Sequence, residues 1–161
     1  AMAASRRNID YILKNMFPMI ISFDKLNQVR HIRFLKDMDG LAAHMEKHRA
    51  LLEPKFRAVL AILDEGLSGC GSIARWTKPN GGYFLSLYTL GGCAKRTVQL
   101  CREAGVVLTD AGAAYPYGVD PQDSNIRIAP TFPPLDELET ASRLLCVCVR
   151  IATLEKLLQR Q

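Results

Sequence analysis

Apolar positions along the chain first recur at helical spacing, then alternate, then return to helical spacing. Ile9, Ile12, Leu13 and Met16 share one helical face over residues 8–16, and Pro18 stops that run. After the apolar link Met19-Ile20-Ile21, Ser22 or Asp24 offers a cap for a second helix. That helix passes through Leu26, Val29, Ile32, Arg33 and Phe34 and ends near residues 37–40. A third and longest helix is expected over residues 41–65, where Leu41, Met45, Leu52, Phe56, Val59, Leu60 and Leu63 form one apolar stripe. Within it Pro54 removes a backbone donor and predicts a kink, and Gly66 is placed to cap the end.

The period then changes to two. Residues 72–77 and 83–88 read as strands, with Lys78-Pro79-Asn80-Gly81-Gly82 as the turn of a hairpin. A helix over residues 93–104 follows, with Val98, Leu100 and Cys101 inward and Gly105 closing it. Val106-Val107-Leu108 reads as a short strand and residues 125–128 as another. The last helix spans residues 135–158. It is led by Pro133-Pro134, carries Asp136, Glu137 and Glu139 where the macrodipole favours anions, and ends near Lys156 and Arg160. Its expected core face is Leu135, Leu138, Ala141, Leu145, Cys148 and Ile151.

These elements predict an α/β (α+β) protein: a small, mostly antiparallel sheet with helices packed on it, preceded by helices. The expected division is a helical segment over residues 1–40, a connecting helix over 41–66 and a C-terminal small domain over 67–161.

One residue stands out against this pattern. Arg127 sits in the middle of the strand-like run Asn125-Ile126-Arg127-Ile128-Ala129-Pro130. A lone arginine there is either an edge-strand residue with its head in water or a rigidly held fork for a carboxylate or phosphate. The turn-rich approach of residues 115–121 and the long helix that follows place it at the junction of several elements.

Composition narrows the class. At 161 residues and 48% hydrophobic the chain can bury a core, and a mean hydropathy of +0.01 without a long apolar run argues against a membrane span. The expectation is a soluble, cytoplasmic protein. Residues 1–60 hold 11 Lys and Arg against 6 Asp and Glu, whereas residues 61–161 hold 10 of each, so the net +5 lies in the first part. That excess suits a phosphate-bearing ligand, an acidic partner or nucleic acid. The last is disfavoured, because basic residues do not run together or interleave with aromatics. Five cysteines lack zinc or disulfide spacing and read as reduced, mostly buried thiols; Cys146 and Cys148 should point to different sides of their helix. His44 and His48 have a metal-like i,i+4 spacing but no accompanying zincin pattern, and read as solvated helix positions.

The ordered signals resemble a known family. A long helix, a tryptophan strand, Pro79-Asn80-Gly81-Gly82-Tyr83-Phe84, an amphipathic helix, Ala104-Gly105-Val106, a glycine loop, Asn125-Ile126-Arg127-Ile128 and a proline-led helix are similar to the C-terminal part of fold-type-I pyridoxal-phosphate (PLP) aminotransferases of class I/II. Residues 24–28, Tyr115-Pro116-Tyr117-Gly118 and Arg127-Ile128-Ala129-Pro130 resemble the aspartate aminotransferase-like branch related to the enzyme domain of MocR regulators. The resemblance covers essentially the whole chain.

It implies PLP as cofactor, amino-acid and 2-oxo-acid substrates (aspartate or glutamate foremost), ping-pong transamination and a homodimer. By residue match, Arg127 is the arginine that holds the substrate's α-carboxylate. Lys25 or Asn27, by the same match, approaches the cofactor phosphate or the substrate side chain across the dimer, a role that stands beside a plain solvated-helix reading. Two departures follow. Thr109-Asp110-Ala111-Gly112 stands where many relatives have a proline before the loop. No lysine here has the serine-lysine context of the Schiff-base residue, so the chain on its own is expected to be inactive. A free-standing interaction or dimerisation module, or another PLP activity of the same fold, are the alternatives.

Overall fold

The computed structural model describes residues 3–20 and 22–159, and separates into two compact units, 1–48 and 49–161. The expected links and ends at Ile21 and Arg160 lie outside the described residues. Described residues form five α-helices, a three-stranded antiparallel sheet and one 3-10 turn.

In the first unit, α1 (Arg6–Met16) begins two residues earlier than the apolar spacing indicates. The Ser5 hydroxyl accepts from the Asn8 backbone N–H at 3.4 Å, and Arg6 pairs with Asp10 one turn on. Helix α2 (Lys25–Leu35) is capped by Asp24, whose carboxylate accepts from the Asn27 N–H at 2.9 Å. Helix α3 (Met38–Leu67) starts before residue 41, because the Asp37 carboxylate accepts from the Gly40 N–H at 2.8 Å. The boundary between the units falls inside this 30-residue helix, which continues through Pro54.

The expected cap at Gly66 is corrected. Gly66 lies within α3, and a Cβ there would meet the Cys146 side chain at 2.8–2.9 Å. Its lack of a side chain permits close helix packing rather than ending a helix.

In the second unit, β1 (Ala74–Trp76) pairs with β2 (Leu85–Thr89), and β2 with β3 (Asn125–Ile128), all antiparallel. The hairpin and β3 follow the alternating pattern: Leu85, Leu87 and Thr89 are buried on one face with Ile126 and Ile128. Residues 106–108 form no strand. Val107 alternates outward as a strand residue would, at 80% exposure, but the segment has no ladder partner among the described residues. Alternation reports which face is covered and does not require a strand.

Helix α4 (Ala94–Glu103) buries Val98 and Cys101 as expected, with Leu100 half-buried. Its N-cap residue, Cys93, makes no side-chain cap bond. Asp123 does that work from a distant loop: its carbonyl accepts from the N–H groups of Gly92, Cys93 and Ala94, and its carboxylate from that of Lys95 at 3.0 Å.

Helix α5 (Leu135–Leu158) has the expected bounds but a wider buried surface. Cys146 faces α3, its thiol 3.7 Å from the Ile62 carbonyl, while Cys148 faces Cys101 on α4 and Ala152 accepts from the Cys93 thiol. Because α5 is covered from two sides, its core includes Ser142, Cys146, Val149, Ala152 and Thr153, whereas Leu135 and Ile151 stay exposed. Arg96 closes the α4–α5 contact through two bonds to Glu155, at 2.7 and 2.8 Å.

Candidate functional site

Side-chain alternation in the sheet builds the site. Because Leu85, Leu87 and Thr89 take the core face, Phe84, Ser86 and Tyr88 are left to the opposite one. Arg127 is the cross-strand partner of Ser86, so it shares that face with Phe84, its diagonal neighbour. The guanidinium carbon lies 4.7 Å from the centre of the Phe84 ring. Arg75, partner of Tyr88, stacks on that tyrosine at 4.0 Å in the same manner.

Arg127 is half-buried, and its Nε is buried without a hydrogen-bond partner. Its side chain forms no ion pair among the described residues. A buried unpaired donor costs free energy unless something accepts from it, and the Phe84 ring offers no oxygen to do so. A guanidinium without an ion pair keeps N–H donors that suit a planar anion.

Beside Arg127 lies a cleft of about 550 Å³, walled by residues 105–109, the end of β3 and the first turns of α5. Asp136 and Glu137 sit at its α5 side, so Arg127 is the one cation among the described lining residues. Two devices fix the strand that carries it. The Asp120 carboxylate accepts from the N–H groups of Gln122, Ser124 and Asn125 at 2.8–3.0 Å, pinning the approach to β3. Burial alone would raise the Asp120 carboxyl, but these backbone donors and the Ser124 hydroxyl hold it below the usual carboxylate range. Beyond β3, Lys55 of α3 donates to the carbonyls of Thr131 and Pro133 at 2.8 and 2.6 Å, fastening the link to α5.

The glycine loop is present. Gly112 has φ +84°, and a Cβ on it would lie 2.5 Å from the Gly118 carbonyl oxygen, so residues 112–118 close tightly without the proline of many relatives.

The other sequence-derived candidates lie in the first unit. Lys25 and Asn27 occupy the first turn of α2 with exposed side chains; the Asn27 N–H is taken by Asp24, and its carbonyl contacts His31 Nδ1 at 2.8 Å. His44 and His48 face each other, Nε2 to Nε2 at 3.1 Å, and no group of three metal-ligating residues exists among the described ones. Burial pushes the Cys101 thiol up to about 12, with Cys148 beside it adding to the effect, and the Cys146 thiol up to about 11. These thiols are neutral core groups, not nucleophiles.

A bound PLP needs an amine for its aldehyde. No lysine lines the cleft; Lys55 is committed to backbone carbonyls and Lys78 to Asp64 at 3.0 Å. Among the described lining residues the cleft thus presents one guanidinium and no amine.

A small antiparallel sheet with α3, α4 and α5 packed on it, and an arginine presented from its outer strand, defines the C-terminal part of a fold-type-I PLP aminotransferase. The chain belongs to the aspartate amino-transferase family, whose match runs over residues 1–161. It is 48% identical over 157 residues to a candidate aminotransferase of Mycolicibacterium smegmatis, covering 98% of this chain and 36% of that protein. The aspartate transaminase structure from Corynebacterium glutamicum superposes with a TM-score of 0.84 at 42% identity, covering 95% of this chain and 36% of that one. The α-aminoadipate aminotransferase of Thermus thermophilus shares the fold, with a TM-score of 0.70 at 18% identity over 94% of this chain and 37% of that one. The chain thus spans about a third of the length of the relatives it matches. No described helix is long and apolar enough to cross a membrane.

Proposed function

We propose that the full-length protein carrying this chain is a PLP-dependent aminotransferase that exchanges the amino group of aspartate or glutamate with a 2-oxo acid. Arg127 holds the substrate's α-carboxylate. The observation that supports this reading is a half-buried guanidinium, stacked on Phe84 and without an ion pair among the described residues. Such a group is poised for a planar anion, and a fixed carboxylate orients the rest of a small amino acid. When bound, the cofactor would supply the electron sink for breaking the bond at Cα; this chain would supply the residue that orients the substrate, Arg127.

The same reading places the protein in the cytoplasm as a homodimer in which Lys25 or Asn27 meets the cofactor phosphate or the substrate side chain of the other protomer. These 161 residues alone are expected not to transaminate, because none of their lysines has the serine-lysine context of the Schiff-base residue. The test is to incubate the purified full-length protein with PLP, L-aspartate and 2-oxoglutarate and to quantify oxaloacetate and L-glutamate. Stoichiometric formation of both is expected. Their absence, with amino-donor and acceptor panels also inert, overturns the assignment.

A further inference from the structure

We infer that Phe84 is a positioning residue for carboxylate recognition, setting the plane in which Arg127 presents its N–H fork. The inference rests on the carboxylate-binding reading of Arg127 and deepens it.

The geometry carries it in three steps. First, register fixes the pairing: Arg127 opposes Ser86, and Phe84 is two residues before Ser86, so both side chains rise from the same sheet face. Second, the guanidinium carbon lies over the Phe84 ring, 4.7 Å from its centre, within cation–π range, so the ring limits where the cation can sit. A guanidinium held by a ring keeps its N–H donors for another acceptor, whereas an ion pair within the protein would consume them. Third, no carboxylate among the described residues does that orienting work, and Nε is buried without a partner. Phe84 is the contact that restrains rotation of the side chain about its long axis.

Phe84 is 49% exposed, so its ring is not a core element. That separates positioning from folding. An aliphatic side chain of similar size covers the same strand surface but supplies no π-face, and leaves the arginine free to sample unproductive planes.

The decisive experiment uses the full-length protein, PLP-loaded, with L-aspartate as substrate and succinate as a non-reacting dicarboxylate probe. Phe84→Leu and Phe84→Met are the aliphatic replacements, Phe84→Tyr is the conservative one, and Arg127→Ala is the reference. The aliphatic variants are expected to raise both KM for L-aspartate and Kd for succinate by about tenfold. Their kcat should stay within about twofold, and Phe84→Tyr should restore KM. Two aliphatic variants are used so that a folding failure in one, read by thermal melting, leaves the other to decide. Unchanged KM and Kd in a folded aliphatic variant, or a fall in kcat alone, overturns the role of Phe84. If Arg127→Ala also leaves succinate binding and KM unchanged, the carboxylate reading itself fails; if Arg127→Ala alone weakens both, only the role of Phe84 is lost.

Discussion

Gly66 and Cys146 meet so closely that a single methyl group on the glycine would stand 2.8 Å from the cysteine Sγ and 2.9 Å from its Cβ. Glycine inside a helix costs about 1 kcal/mol relative to alanine and less in the last turn, where Gly66 lies, so on propensity alone Gly66→Ala would stabilise slightly. Overpacking a tight helix contact costs typically 1–3 kcal/mol, and here one of the opposing atoms is a Cβ that cannot rotate away. The clash outweighs the propensity. Gly66→Ala is therefore expected to lower the Tm, and Gly66→Ala with Cys146→Ala to recover part of the loss; a higher Tm in the single variant would contradict the packing.

Asp123 serves α4 from outside that helix. Its carboxylate caps the Lys95 N–H. Asp123→Ala is expected to cost about 1–2 kcal/mol, in the range of other lost helix caps, and Asp123→Asn less than half of that. Denaturant unfolding of both variants checks the order.

Asp120 gives a pH dependence with a definite sign. Its carboxyl is held below its ordinary value in the folded protein. Its contribution is therefore fully present above the unfolded value, about pH 4, and is lost as pH falls through the lower folded one. Thermal melts between pH 6 and pH 3 should show an acid-side decline that is shallower in Asp120→Asn, whose stability is already reduced at pH 6.

The buried thiols act on the opposite side. Cys101 and Cys146, raised to about 12 and about 11, bind their protons more tightly folded than unfolded. The stability they contribute is present below the ordinary thiol value of about 8.5 and is lost as pH rises from there toward those folded values. Iodoacetamide at pH 8 should modify half-buried Cys70 in the native protein and all five cysteines only after denaturation. Rapid native labelling of Cys101 or Cys146 would contradict their burial.

What was legible in the sequence follows from the range of the interactions involved. The hairpin, β3 and α5 are written in local periodicity and turn residues, and Asp24 as a cap lies three residues from the N–H it serves. Arg127 was visible because a charge interrupted an apolar run. Its stacking partner was not, since Phe84 lies 43 positions earlier and only the β2–β3 register brings the two together. Asp123 capping α4, Lys55 reaching Thr131 and Pro133, and Gly66 against Cys146 are long-range contacts of the same kind. Residues 106–108 depart from the strand their pattern predicts because a half-covered extended segment alternates like a strand without pairing as one.

The most direct measurement on the central claim is kcat/KM for L-aspartate in full-length Arg127→Ala and Arg127→Lys, compared with the parent protein. Losing the charged partner of a held carboxylate is expected to cost roughly 2–5 kcal/mol, a fall of about 30- to 5,000-fold in Arg127→Ala. Arg127→Lys should recover only part of it, because an ammonium cannot reproduce the planar fork. A kcat/KM unchanged in Arg127→Ala would contradict the account, leaving Arg127 as a stacked strand residue that touches no substrate.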